Sequence, residues 1–454
     1  MSIYKDCDIR GVFRRDFNNH DAYLIGRAWA SLFPESARMV VGGDVRTSTS
    51  VLKKALIQGL SESGSQVFDL GTVTTPLFSF GVDSLKADGG VMITASHNPA
   101  EYNGFKFSLG IMPPTITDIE RIRSLVENKT FRNISSPLPP RFFDLREAYC
   151  TNLASLLPSP RRRLRVVTDC GNGSQTLIAP SFLKNQGFEV IPLFCEVDGS
   201  FPHRSPNPAQ ENVLTALSNA VRKKRAQAGI AFDGDGDRVV FVDERGKILP
   251  PETSIIFFLH TILPTLRRGE KFVYDLKCSR VVPQQVLALG GIPVEERSGY
   301  TFIKTRMFRE NAFMAAEISG HYFFRELGRD DGLYAAALFL SSLSRFNTSL
   351  SKVTADFPQP HVTPDIRIPS ENQDHVLTVL EESLRGEKVS KVDGLRAEWP
   401  EGWALIRKSV TEPVFTLRFE AEKAQDLPIL VRRLLRPFPE MEQEVLTKIP
   451  HLGE

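Results

Sequence analysis

Three proline-marked stretches cut an otherwise repetitive alternation of short apolar strands and amphipathic helices, and this alternation limits the folds open to the chain. The first is ISSPLPP at 134–140, with Pro158 and Pro160 soon after. The second is LPP at 249–251, and the third spans 357–364 with Pro358, Pro360 and Pro364. Proline has a fixed φ and no amide hydrogen, so such stretches break regular elements and mark linkers or domain edges. They divide the chain into residues 1–145, 146–248, 249–357 and 358–454. In the first piece, 39–42 and 67–70 predict strands, and Leu52, Leu56, Ile57 and Leu60 form an apolar stripe at helical spacing between them. Residues 164–168, 189–194 and 239–243 predict strands in the second piece, and 272–275 in the third. The expected fold is α/β: three consecutive α/β domains, similar enough to be distant copies, followed by an α+β domain. That last piece carries helical patterns near 376–384 and 424–435 and a strand at 414–419.

Charge narrows the function. The chain has 56 Lys and Arg against 54 Asp and Glu, a net charge of +2 over 454 residues. Neither a nucleic-acid partner nor an anionic membrane is expected from that balance. The basic runs at 161–163 and 222–225 have no interleaved aromatic residues and read as solvated faces or loops. Cys7, Cys150, Cys170, Cys195 and Cys278 are odd in number, scattered and without CxxC spacing, as expected of reduced thiols in a cytoplasmic protein. The opening MSIYKDCDIRG lacks the apolar core of a signal peptide, and no run of about 18 apolar residues predicts a membrane span.

Four stretches carry chemistry. In AGIAFDGDGDRVVFV, Asp233, Asp235 and Asp237 converge if the chain curls, and the intervening glycines let it curl. Like charges that close raise one another's pKa unless a cation sits among them, and hard carboxylate oxygens suit Mg²⁺ or Ca²⁺. An EF-hand loop comes close, with Glu244 at position 12, but Arg238 stands where its turn needs glycine and the flanks are β-branched. A plain acidic turn is the remaining alternative. In EISGH at 317–321, Glu317, Ser319 and His321 alternate. On an extended chain they share one face and suit paired sugar hydroxyls; the alternative is a β-turn with a core histidine. In RKSVTEP, Arg407, Ser409 and Thr411 alternate, with Arg418 following, which reads as a phosphate-holding loop without a P-loop. In VMITASHNPA, an apolar strand delivers Ser96 to its carboxyl end, where α/β sheets build their sites. Ser96 reads either as a phosphorylated nucleophile or as the N-cap of a following helix.

TASHNP, DGDGDR, EISGH and RKSVTEP occur in that order, about 80–135 residues apart. Together they resemble the α-D-phosphohexomutase family over nearly the whole chain. Smaller matches are DIRG at 8–11, GGDVR at 42–46, YNGFK at 102–106, DLKC at 275–278 and FIK at 302–304. EISGHYFF followed by DDG is most similar to the phosphomannomutase/phosphoglucomutase branch; a phosphoglucosamine mutase usually has Gln at the position of Ile318. The resemblance implies four domains around a central active-site cleft, the last of them mobile. It implies a mutase that interconverts hexose 1-phosphate and hexose 6-phosphate, of mannose or glucose, through a phosphoserine at Ser96 and a 1,6-bisphosphate intermediate. Ser96, Asp233, Asp235 and Asp237 would hold Mg²⁺, and hexose 1,6-bisphosphate would prime the serine. Lys106 and His321 would do acid/base work, Arg10 and Arg238 would stabilise the transferring phosphate, and Glu317 and Ser319 would grip the sugar. Arg407, Ser409, Val410, Thr411 and Arg418 would hold the other phosphate, with Lys277 as a further contact. Sugar phosphates are then the expected small-molecule partners.

The sequence also departs from the family pattern. Cys7 replaces a usual Tyr, Tyr300 a usual His, Val410 a usual Gly or Asn, and Ala315-Ala316 a usual glycine. A phosphoglucosamine mutase, or a relative that binds sugar phosphates without turning them over, are the alternatives these departures leave.

Overall fold

A computed structural model describes residues 2–210, 212–409 and 414–449. Its strands form four sheets. The first contains β1 (Ile9–Val12), β2 (Arg38–Gly43), β3 (Gln66–Thr72), β4 (Gly89–Ile93), β5 (Tyr102–Leu109) and β6 (Arg141–Phe142), in the order β1-β5-β4-β2-β3-β6. The second is β10-β9-β7-β8, built from β7 (Arg165–Asp169), β8 (Glu189–Leu193), β9 (Ala228–Phe232) and β10 (Val239–Asp243). The third, β12-β11-β13-β14-β15, uses β11 (Lys271–Asp275), β12 (Ile292–Glu296), β13 (Met314–Ala316), β14 (Tyr322–Phe324) and β15 (Arg329–Asp330). The fourth is antiparallel: β16 (His361–Val362), β17 (Ile366–Pro369), β18 (Lys388–Ser390), β19 (Leu395–Trp399), β20 (Gly402–Lys408) and β21 (Val414–Ala421). Three α/β units and a C-terminal α+β unit are thus present.

One rule places the chemistry in all three α/β units. Each sheet has a parallel centre and then turns antiparallel. β4 runs parallel to β2 but antiparallel to β5. β9 runs parallel to β7 but antiparallel to β10. β13 runs parallel to β11 but antiparallel to β14. The connection at each reversal is a tight one, because antiparallel neighbours can be joined by a hairpin whereas parallel ones need a crossover. TASHNP, DGDGDR and EISGH occupy these three reversals. The β20–β21 pair supplies a fourth hairpin, whose connection begins at Ser409.

The apolar strand and helix faces fuse units one to three into a continuous core, which includes Val40, Met92, Phe232, Phe241, Met314 and Leu340. The fourth unit has a core of its own, around Leu380, Ile406, Phe419 and Leu434. Its seam with the third unit is mainly polar: Arg280 pairs with Glu422, Arg418 with Glu252, and Arg396 donates to the Leu276 carbonyl. Leu276, Trp403 and Leu405 form a small apolar contact cluster across it. Two expectations shift in detail. Ile57 lies at the edge of its helical stripe and is half-buried, whereas Leu52, Leu56 and Leu60 are buried. All five cysteines are free. Among the described residues, no helix is long and apolar enough to cross a membrane.

Candidate active site

The three hairpin loops of the α/β units pack directly on one another. Arg238 and His321 form a β-bridge between the second and third loops, and the Val239 amide donates to the Gly320 carbonyl over 3.1 Å. A Cβ on Gly234 would stand 2.5 Å from the Ser96 carbonyl oxygen, so only glycine permits the approach of the first and second loops.

Ser96 lies in a turn, with φ +52°. The element that follows is the strand β5, so the helix N-cap reading of this serine is excluded. Its Oγ donates to Asp233 Oδ2 over 3.2 Å and lies 3.3 Å from His97 Nδ1. Beneath the loop sits Arg46, which sequence reading left without a role although GGDVR had been matched. Its guanidinium donates to the carbonyls of Ser96, Asn98, Pro99 and Tyr102 at 2.6–3.0 Å and pairs with Asp44 at 3.0 Å. Arg46 and Asp44 side chains are fully buried. A left-handed serine persists only when its surroundings over-determine it, and this arginine does so.

Asp233, Asp235 and Asp237 are buried, with one oxygen from each inside a 4.8 Å sphere. Lys106 Nζ donates to Asp235 Oδ2 (3.0 Å) and Asp237 Oδ2 (2.7 Å), and Thr75 Oγ1 donates to Asp235 Oδ2 (2.7 Å). Among the described residues, the other oxygens, Asp235 Oδ1 and Asp237 Oδ1, are buried without a hydrogen-bond partner, with His321 Nδ1 and Arg238 Nε 3.9 and 4.0 Å from the latter. An orphaned buried carboxylate oxygen is costly, and two of them facing a third acid fit a hard divalent cation. Burial, then Asp237 and Asp235, push the Asp233 carboxyl well above the usual range. Burial also acts on Asp237, but the Lys106 ammonium, first among its neighbours, holds it below its ordinary value. Burial opposes charge on Lys106, yet Asp235 and Asp237 win and raise its pKa well above the ordinary value, so the ammonium is charged. The acid cluster and lysine are mutually compensating, and the loop joins strands β9 and β10 where an EF-hand would join helices.

The 317–321 stretch is not extended. The Gly320 amide donates to the Glu317 carbonyl (3.1 Å) and the Glu317 amide to the His321 carbonyl (3.0 Å), closing a turn with Gly320 at φ +92°. The alternating-face expectation is therefore corrected, because glycine at a sheet reversal favours a turn. Glu317 is buried and accepts from the Gly299 amide at 2.7 Å; Ser319 is half-buried beside it. His321 stands between Asp330, 2.8 Å from Nδ1, and Arg238 Nε, 2.9 Å from Nε2. Arginine Nε can only donate, so His321 Nε2 carries the lone pair and Nδ1 the proton. Asp330, the first residue of the DDG match, sets that tautomer. His97 is neutral: the charge of Arg238, then burial and Arg10, lower its pKa well below the ordinary value.

Arg10 donates to Asn98 Oδ1 (2.6 Å) and Asp8 Oδ2 (2.5 Å) on the wall of a cavity of about 620 Å³. The same wall includes His97 and Asn98 from the first unit, Ser298 and Gly299 from the third, and Arg367 from the fourth. Tyr300 reaches the site: its ring lies 5.3 Å from Lys106 Nζ and 6.4 Å from the His321 ring, and its buried Oη has no partner. Cys7 Sγ lies 2.8 Å from Thr301 Oγ1, and burial pushes its thiol up to about 12. Ala315 and Ala316 are buried within β13. At the fourth hairpin, Arg407 pairs with Asp393 at 2.7 Å, Arg418 with Glu252 at 3.0 Å, and Lys277 with Asp365 at 3.1 Å. The Ser409 amide donates to the Val414 carbonyl over 2.9 Å. Val410 and Thr411 lie outside the described residues.

Comparison with known proteins assigns this arrangement. The phosphoglucomutase/phosphomannomutase alpha/beta/alpha domains I, II and III match residues 1–133, 147–246 and 251–361. The chain belongs to the phosphoglucomutase/phosphomannomutase family. A phosphomannomutase/phosphoglucomutase of Pseudomonas aeruginosa is 37% identical over 94% of this chain and 93% of its own length. A phosphoglucomutase of Neisseria gonorrhoeae is 35% identical over 99% and 98%. The crystal structure of a phosphoglucomutase/phosphomannomutase family protein from Burkholderia thailandensis superposes with a TM-score of 0.90 at 31% identity, covering 97% of each chain.

Proposed function

We propose that this member of the family is a phosphohexomutase that moves phosphate between C1 and C6 of a hexose, mannose or glucose, by way of a phosphoserine and a 1,6-bisphosphate. One observation carries the reading. A serine hydroxyl stands against three buried carboxylates that a single lysine only half satisfies, at the meeting point of the hairpin loops. The divisions at 145, 248 and 357 then bound four working units, each lending one loop to the cleft.

In this reading, phosphorylated Ser96 gives its phosphoryl group to the C6 hydroxyl of hexose 1-phosphate. The P–Oγ bond breaks as the O6–P bond forms. The O6 proton passes to His321 Nε2, the ring nitrogen that the Nδ1 contact to Asp330 leaves unprotonated, once Arg238 Nε turns from it to the phosphoryl group. Charged Lys106 is the acid that protonates the departing O1 when the second phosphate returns to Ser96. Arg10 and Arg238 face the phosphoryl group in flight. Glu317 and Ser319 take sugar hydroxyls, Tyr300 presents its free Oη to the same ring, and Lys277, Arg407, Ser409, Val410, Thr411 and Arg418 hold the phosphate at rest. Asp233, Asp235, Asp237 and a phosphoserine oxygen are the residues that would hold Mg²⁺, which supplies charge neutralisation for the transfer. Hexose 1,6-bisphosphate would be the priming activator, and the cytoplasm, where such sugar phosphates are found, the place of work.

The direct test incubates the protein with Mg²⁺, a trace of glucose 1,6-bisphosphate and mannose, glucose or glucosamine 1-phosphate in parallel, and follows phosphate migration by ³¹P NMR. Migration from C1 to C6 of mannose or glucose is expected. Turnover of glucosamine 1-phosphate alone would move the chain to the phosphoglucosamine branch, and no turnover of any sugar by folded, metal-loaded protein would leave a binding relative. Two further outcomes are expected. Chelation with EDTA lowers kcat at least about 100-fold, and Mg²⁺ restores it. Mg²⁺ also raises the melting temperature of the wild type but not that of Asp235→Asn. Asp365 faces Lys277, Arg418 and Arg407, which, against the effect of burial, hold its carboxyl below the ordinary value. It competes with phosphate for those cations, so Asp365→Asn lowers KM roughly 3- to 10-fold, a gain of about 1 kcal/mol. An unchanged or raised KM in steady-state assays would mean that the carboxylate preorganises the cations instead.

A further inference from the structure

The two basic runs read as solvated surface meet in three dimensions. Arg162 from the first run and Arg222 and Arg225 from the second line one cavity of about 610 Å³, together with Lys352 and Glu244. It is distinct from the active site. β10 leaves the acidic loop at Val239, and Glu244 follows its last residue, Asp243, so the cavity lies at the opposite end of that strand. Five residues of strand span about 17 Å.

The charge in this cavity is unbalanced. Its single carboxylate, Glu244, is engaged by the amide and hydroxyl of Ser351. Among the described residues, Arg162 donates to the Thr348 carbonyl alone, at 3.2 Å, with its Nε buried and without a hydrogen-bond partner, and Arg222 donates to the Asn219 side chain alone, at 2.5 Å. The side chains of Arg225 and Lys352 have no ion pair among the described residues. Arg225 moreover holds a left-handed conformation at the helix C-cap, with φ +49°, where glycine or asparagine is the unstrained choice. Four cations are thus gathered in a concavity, against like-charge repulsion, with one engaged carboxylate among them.

We propose that the cavity is a second anion site that takes a small molecule bearing two or more phosphate groups. Its volume lies in the range of ligand pockets. Four cations spread over that volume exceed what one phosphate neutralises. Three of them are arginines, whose planar forks match phosphate oxygens in pairs. A nucleic acid strand is the poorer fit, because no aromatic side chain lines the cavity for a base to stack on. Leu343 and Leu350 give an organic portion of the ligand an apolar wall.

Isothermal titration with inorganic pyrophosphate at low salt tests this. The wild type should bind in two components, one at the active site and one at the cavity. Arg225→Gln with Lys352→Gln should weaken one component at least tenfold and keep the melting temperature and the mutase kcat. Arg121→Gln with Arg385→Gln, which removes the same charge elsewhere on the surface, should keep both components. The proposal is overturned by an unchanged isotherm in the cavity variant, or by an equal loss in the surface control. Citrate binding to the cavity as tightly as pyrophosphate would overturn the assignment to phosphate.

Discussion

Ser96→Ala abolishes phosphoryl transfer while leaving the fold in place. The hydroxyl is the group that would receive and release phosphate, so kcat falls by roughly 10⁴-fold or more, as with other covalent nucleophiles. Stability changes little. The substitution removes one hydrogen bond to Asp233, at 3.2 Å, worth about 1 kcal/mol. Alanine inherits the positive φ of +52°, which the surrounding loop already imposes on serine. Intact mass spectrometry after incubation with glucose 1,6-bisphosphate is expected to find one phosphate on the wild type and none on the variant. A variant that still takes up phosphate, or keeps more than about 1% of kcat, would place the nucleophile elsewhere.

Arg46→Ala is the second large effect, and it acts through stability as well as rate. The side chain is fully buried, paired with Asp44 at 3.0 Å and bonded to four carbonyls of the serine loop. Its loss leaves Asp44 buried without its counter-charge and takes a donor from four carbonyls, of which Pro99 keeps the Tyr102 amide at 3.1 Å, a cost of about 3–5 kcal/mol. Burial already raises the Asp44 carboxyl despite the arginine, so the variant relieves part of that cost by protonating it. The serine loop then loses its support, and kcat falls along with stability, by about 100-fold for a misplacement near 1 Å. Arg46→Lys does not rescue, because a point charge cannot serve carbonyls spread over residues 96–102. Denaturant titration beside steady-state kinetics checks both; a loss below about 1 kcal/mol would show that the loop holds its shape without the arginine.

Much of the site was legible in the chain because its parts are local. Three aspartates at alternate positions between β-branched runs state a cation loop, and a serine at the end of a buried strand states a sheet-edge site. Both are written within about ten residues, the scale on which backbone geometry decides which side chains meet. The 317–321 stretch stays open between a strand and a β-turn for the same reason. Alternation alone fits a strand, and nothing inside five residues says that the sheet reverses there. Arg46 went without a role because its partner Ser96 stands 50 positions away, and Asp330 because it meets His321 only once β14 and β15 have paired.

The sequence by itself determined the alternating α/β units, the fourth unit's separate character, and the residue types that hold charge at each loop. Hydrophobic periodicity and proline placement act along the chain, so they can be read along it. Only the tertiary structure decided that the site loops of the three α/β units sit where each sheet turns from parallel to antiparallel. It alone showed that Lys106 divides itself between two aspartates and that Asp330 sets the tautomer of His321. It also brought two distant basic runs to one cavity. Each of these is a balance between groups far apart in sequence, set by burial and distance, and neither quantity exists until the chain has folded.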